Sequence, residues 1–429
     1  MVLLQVSKGR DIMKKTPLYQ WHVANGANMA EFGSYLMPLW YPAGARKEHL
    51  GVIESAGLFD TSHMAVVLVE GPGSYQLLQK AISKDLDRCL GAGDKPLAEG
   101  RCVYGVFLNE QGHVIDDAIV YKRGDTSFMV VVNAGMGRVV AQHLGRLSDS
   151  AQIQITDLTE KLGKIDIQGP ASARILGKLL QDPQNVFAKM MYFSFKGWFG
   201  PDSSVLLEDG TPILLSRTGY TGEFGFEIFV EPEHLEKTWN ALLEIGGPGI
   251  TPCGLAARDS LRAGAALPLS HQDIGDWPFS NNPWEFVLPL DSQGHFTKFF
   301  VGSESLQKLS NEKTTYPFAG FDPRKIVPDE RSGVIDSDGN PIGEILTCAT
   351  DMAIGRIDGR IISIATPESD GKPKGFQPKG LCCGFVRVSG KYSVGDRLYL
   401  TDGKRKLEIE IREDVRPDRT ARRPIKEMV

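Results

Sequence analysis

The sequence predicts an α+β protein of more than one domain that closes in an all-β unit. Three observations carry this reading. The chain has 429 residues, beyond the roughly 250–300 at which one hydrophobic core usually stops growing. Helical and strand-like patterns mix through the first part without regular βαβ alternation. After about Phe296 the sequence changes to short apolar pieces separated by "DSDGNP", "SDGKPKG", "SGKYSVGD" and "TDGKRK", which reads as strands joined by frequent turns.

Taken in order, "KKTPLYQWH" follows Met13 as a plausible true beginning, and residues 1–12 show no periodicity of their own. Helical patterns fall at Arg46–Ala56, closed by Gly57, and at Pro72–Ile82, Met136–Leu147, Pro170–Leu180 and Pro232–Ile245, several with Pro or Gly at an end. Between them lies a meander: Cys102–Leu108, a turn at "NEQG", His113–Lys122, a turn at "RGD", and Ser127–Asn133. Thr366–Lys379 lacks apolar periodicity and reads as a mobile surface loop.

Hydrophobic residues at 41% and charged residues at 24% exclude a disordered or fibrous chain. The net charge of −5 gives no positive field for nucleic acid or a membrane surface. No apolar run reaches the roughly 18 residues of a membrane span, and Met1–Val6 is too short for a signal-peptide core, so a cytoplasmic protein is expected. The six cysteines form no CxxC pair and the histidines no HExxH, so no metal is assigned.

Four segments hold candidate chemistry. In "GHVIDDAIVY", Asp116 and Asp117 interrupt an apolar strand. Alternation puts Val114, Asp116, Ala118 and Val120 on one face and Ile115, Asp117, Ile119 and Tyr121 on the other. A buried carboxylate needs a partner or a ligand; the structural alternative is an edge strand with one Asp in water. In "SRTGYTGEFGFEIFV", glycines permit a tight turn into a strand, where Glu227 could accept paired hydrogen bonds from a flat amidine-like edge such as a pterin or guanine presents. The alternative is a structural salt bridge, and Glu223, nearer the turn, is expected to be exposed. "PCGLAARDSLRAGAAL" reads as a helix with Arg258 and Arg262 on one face. "VVNAGMGRVV" resembles half a dinucleotide fingerprint, but Val140 stands where the third glycine belongs. The Arg-containing C-terminus reads as a solvated tail or a domain-docking segment, and no GxSxG elbow is present.

Together, "TPLYQWH", "MPLWYPAG", "HLGVIESAGLFDTSHM", "VYGVFLNEQGHVIDDAIVY", "VVNAG", "IQGPASARIL", "RTGYTGEFGFEIFV" and "PCGLAARDSLR" resemble, in order, the glycine-cleavage T-protein (aminomethyltransferase) family. The resemblance implies a ring of three domains around a channel for tetrahydrofolate. Residues 1–50 with 151–250 would form a first folate-binding domain, 51–150 with 251–295 a second carrying the catalytic Asp, and 296–429 the barrel-like β domain. It further implies Asp116 as the catalytic carboxylate, with Asp117 facing away. Glu227 would be the pterin-edge carboxylate, Tyr220 the aromatic beside it and Arg258 a folate-contacting guanidinium, with Tyr104, Asn133 and Trp284 at pocket positions. Tetrahydrofolate would accept the one-carbon unit from a lipoyl carrier protein or from a small methylated donor.

The sequence departs from that family beyond "DSLR": Gly264 stands where a Glu is expected, Ser270-His271 replaces Tyr-Gly, and "GEILTCATDMAIGR" replaces a Ser-Gly-Thr-rich turn. These changes bear on the donor side, where His271 could hydrogen-bond or protonate a leaving group; the alternative is a surface histidine. A folate-binding assembly or sensor protein is the non-enzymatic alternative. Deleting residues 1–12 is expected to leave the melting temperature unchanged in differential scanning calorimetry.

Overall fold

The computed structural model describes residues 13–91, 93, 95–308 and 313–429; the N-terminal extension expected at 1–12 lies outside them. The first body centres on a six-stranded sheet in the order Phe195–Gly197, Leu214–Ser216, Gly225–Val230, Gly163–Gln168, Gly57–Asp60, Thr251–Cys253. Its central strands, Gly163–Gln168 and Gly225–Val230, are buried at every position. Leu235, Trp239 and Leu242 of helix Pro232–Gly246 pack on this sheet in one core with Ile165, Ile167, Phe226 and Ile228.

A second, antiparallel sheet has five strands in the order Arg101–Leu108, Val114–Gly124, Ser127–Val132, Ala65–Glu70, Gln154–Asp157. Apolar residues of helices Ser74–Ala81 and Gly137–Leu147 cover one face together with Ala118, Val120 and Val130. The other face meets the first body through Tyr121, Met129 and Val131 against Phe195, Leu214 and Phe229. Strand Ser127–Val132 does lead through Gly135 into a helix. Both of its pairings are antiparallel, so the parallel crossover that makes a dinucleotide crevice is lacking.

Six strands, Lys313–Gly320, Leu381–Ser389, Pro341–Asp351, Gly333–Ile335, Arg397–Thr401 and Lys406–Ile411, form a closed barrel. This is the all-β unit that the turn-rich C-terminal third announced. Sheet membership passes from the first sheet to the second between Asp60 and Ala65 and back between Asp157 and Gly163, and strand Thr251–Cys253 belongs to the first sheet.

Each body touches the other two. Val106, Leu108 and Val114 of the second sheet share a core with Trp284 and with Leu346 and Phe385 of the barrel. Helix Leu255–Gly264 joins the first body to the barrel, with Ala263 packed among Ala319, Ala349 and Cys383. At its end a Cβ on Gly264 would meet Asp351 Oδ2. A barrel carboxylate therefore fills the space beside the position where the T-protein pattern has Glu. Glu223 corrects a sequence expectation: it is buried, not exposed, because Arg416 Nε lies 3.2 Å from its Oε1 and the Thr420 hydroxyl donates to its Oε2 at 2.7 Å. The C-terminus is thus a docking segment.

No helix among the described residues is long and apolar enough to cross a membrane. Gly264→Ala should destabilise the protein by about 1–3 kcal/mol, the usual cost of overpacking, read as a shifted urea midpoint with an unchanged slope.

Candidate active site

The second sheet presents the two aspartates differently from the expectation. Asp116 is fully buried and accepts from the Asn133 backbone N–H and from Asn133 Nδ2, both at 2.8 Å. Asp117 is only half-buried; it accepts from the Tyr104 hydroxyl at 2.8 Å and from Asn133 Nδ2 at 2.5 Å. The pleat explains this. The face of Asp116 also carries Ala118 and Val120, which pack under the helices, while the face of Asp117 carries Tyr121, which meets the first body. Of the two, Asp117 is the less buried.

Burial, and then the neighbouring Asp116, push the Asp117 carboxyl up to about 6, as expected for a shielded like-charge pair. His271 stands beside the pair, with Nε2 3.6 Å from Asp116 Oδ1. Its φ of +63° places a non-glycine residue in the left-handed region, an arrangement that costs energy and concentrates at functional positions. Its ring is exposed, and the contact with Asp116 raises its pKa.

The second group lies on the first sheet. Glu227 is buried; its Oε1 accepts from Lys164 Nζ at 2.6 Å, and its Oε2 from the Thr218 hydroxyl at 2.5 Å, with the Tyr121 hydroxyl at 3.4 Å. Lys164 also reaches Asp166 Oδ1 at 2.6 Å, and Arg258 Nη1 donates to Asp166 Oδ2 at 2.9 Å. Burial opposes ionisation of Asp166, yet Lys164 and Arg258 hold its carboxyl below the usual range. The Arg258 guanidinium lies 4.8 Å from the Tyr220 ring centroid, and the Tyr220 hydroxyl donates to Pro268 O. The turn that carries Tyr220 requires Gly222, whose φ is +77° and whose Cβ would lie 2.7 Å from that of Ala265.

Tyr121 joins the two groups. It lies four residues beyond Asp117 on one strand, about 13 Å at about 3.3 Å per residue, and touches Glu227. Of the residues singled out in the sequence, Tyr104, Asn133 and His271 therefore gather at the aspartates, and Glu227, Arg258 and Tyr220 around Lys164 and Asp166. Trp284 is buried in a core that Tyr104 packs against; its indole N–H donates to Ala266 O at 3.0 Å and its ring packs edge-on against Phe385. Arg262 is also turned inward, onto Asp259, Asp273 and Thr347.

Sequence reasoning passed over Lys164, Asp166 and His63. Lys164 and Asp166 interrupt the apolar run "GKIDIQG" as Asp116 and Asp117 interrupt theirs, and that signal was available. His63 Nδ1 is buried and unpartnered among the described residues; burial, then Arg258, lower its pKa to about 4, so the ring is neutral.

A family profile described as "GCVT N-terminal domain" matches residues 18–286. An aminomethyltransferase of Staphylococcus carnosus is 31% identical over 345 residues, which is 80% of this chain and 88% of that protein. The chain belongs to the GCVT family. The crystal structure of glycine cleavage system aminomethyltransferase T from Bartonella henselae aligns with a TM-score of 0.73 at 25% identity, covering 93% of this chain and 96% of that one. The family match covers both sheets and every residue named above on them. The structural likeness extends to the barrel.

A carboxyl raised to about 6 weakens the fold at neutral pH. It binds its proton in the folded state where the unfolded chain has already lost it, so this contribution to stability falls as pH rises from about 4 to 6. Asp117→Asn should therefore melt higher than the parent at pH 8, and the difference should shrink as pH falls through 6 towards 4.

Proposed function

We propose that this GCVT-family protein is a transferase that passes a one-carbon unit, aminomethyl or methyl, to tetrahydrofolate. The observation that carries the reading is the pairing of a buried acceptor carboxylate beside a guanidinium, Glu227 and Arg258, with a half-exposed carboxylate of raised pKa, Asp117, four residues from Tyr121 on the adjoining sheet. The printed activity of the relatives points the same way. The residues fit a reduced pterin: Glu227 suits its amidine edge, Arg258 and Tyr220 offer a flat cationic and aromatic wall, and Asp117 lies further along. Tetrahydrofolate supplies the nucleophilic nitrogen that takes up the one-carbon unit.

In this reading Asp117 takes the catalytic place that the sequence comparison gave to Asp116. Its carboxylate faces the positive charge that develops as the one-carbon unit leaves its donor, and such preorganised charge is the main lever available to a site of this kind. Asn133 and Tyr104 fix its orientation, and buried Asp116 holds Asn133 from behind. His271, next to Asp116 and open to solvent, is proposed as the donor-side acid that protonates the leaving group. The family relationship makes a lipoyl carrier protein one candidate donor, and a small methylated amine, sulfonium or aryl ether the other.

Anaerobic incubation with tetrahydrofolate and this donor panel, with mass-spectrometric reading of the folate, separates the outcomes. Methylene-folate formed only with the carrier identifies aminomethyl transfer, and methyl-folate from a small donor identifies demethylation. No product from any donor despite tight folate binding supports the assembly or sensor reading. Asp117→Asn should lower kcat by about 10²-fold or more. Parent activity should fall as pH drops through about 6, and Asp116→Asn should move that acid limb lower by removing the like charge. Unaltered turnover of His271→Ala with the physiological donor removes His271 from the mechanism.

A further inference from the structure

Asp166 and Glu227 sit directly opposite one another on adjacent antiparallel strands at the centre of the first sheet. Both are buried. Like charges in that relation repel, and buried carboxylates need compensation. Lys164 supplies it: its ammonium lies on the same face, 2.6 Å from an oxygen of each, with the Thr61 hydroxyl at 3.2 Å. Asp166 then has three close donors, Lys164 and Thr61 on Oδ1 and Arg258 on Oδ2.

Glu227 is engaged differently. Its closest protein donors are one per oxygen, Lys164 on Oε1 and Thr218 on Oε2, with Tyr121 more distant. A carboxylate has about four acceptor sites, so Oε1 keeps one for an outside donor, and the second site on Oε2 beside it meets only the long 3.4 Å contact of Tyr121. Two cations and two carboxylates also balance. The geometry points to a positioning role: we propose that the Lys164–Asp166 bridge fixes Glu227 in the one orientation that offers two parallel acceptors to an uncharged, flat heterocycle edge bearing adjacent N–H donors. The inference rests on the reading that Glu227 faces a pterin. It adds that Lys164, which need not touch the ligand, sets how sharply the site reads that edge.

The test is discrimination, which a merely structural lysine would not alter. Dissociation constants for tetrahydrofolate and for its 2-desamino-2-methyl analogue, which lacks the exocyclic donor, are measured anaerobically by calorimetry on the full chain. The parent should favour tetrahydrofolate by about tenfold or more, the weight of one good hydrogen bond to a charged group. Glu227→Gln should lose most of this preference, and Lys164→Met should lose it similarly, while Lys164→Arg retains the larger part. Should Lys164→Met fail to fold, Lys164→Met with Asp166→Asn removes the bridge at unchanged net charge, and the same loss is expected. No preference in the parent overturns the pterin-edge reading itself. A parent-like preference in the bridge-less variant, alongside its loss in Glu227→Gln, leaves that reading standing and overturns the positioning role.

Discussion

The arrangement of the three bodies depends on one buried guanidinium. Arg416 Nη1 lies 2.5 Å from Asp351 Oδ2 of the barrel and its Nε 3.2 Å from Glu223 Oε1 of the first body, while Nη2 donates to Thr221 O. Nη1 also donates to Leu261 O in helix Leu255–Gly264 at 3.3 Å. Burial works against its charge, but Asp351 and Glu223 more than offset that, and its pKa is raised. Asp351 in turn accepts from or pairs with His49 Nε2 at 3.0 Å. Removing one partner from such a network strands a buried charge, which costs far more than the network contributes as a whole.

This tie reaches the site through short covalent paths. Glu223 and Thr221 flank the Gly222 turn that delivers Tyr220, and Leu261 lies one helical turn from Arg258. Among the described residues the barrel contributes no side chain to the Glu227 group, yet it holds in place the turn and the helix that do. Gly264 belongs to the same logic: without a side chain there, the Asp351 carboxylate can stand beside Arg416.

Charge is distributed with a clear division of labour. At the Glu227 end it is balanced and locked by close ion pairs, which favours recognition of a neutral polar edge. At the Asp117 end it is unbalanced: two carboxylates share one asparagine, and a strained, exposed histidine stands beside them. Poorly compensated charge of this kind costs stability and is retained where chemistry uses it.

The sequence by itself determined the α+β class, the terminal barrel, the main helices and the segments that carry the site. Each is written in local periodicity, turn residues or short motifs, and the order of those motifs indicated the family. Alternation along "VIDDAIVY" also showed that the two aspartates must point opposite ways. Which of them is the more buried was decided only by tertiary structure, because it depends on which face of the sheet the helices cover and which meets the first body. The same holds for Glu223, buried by an arginine 193 residues away. Pairings across such distances leave no periodic trace, and the partner fixes both burial and charge.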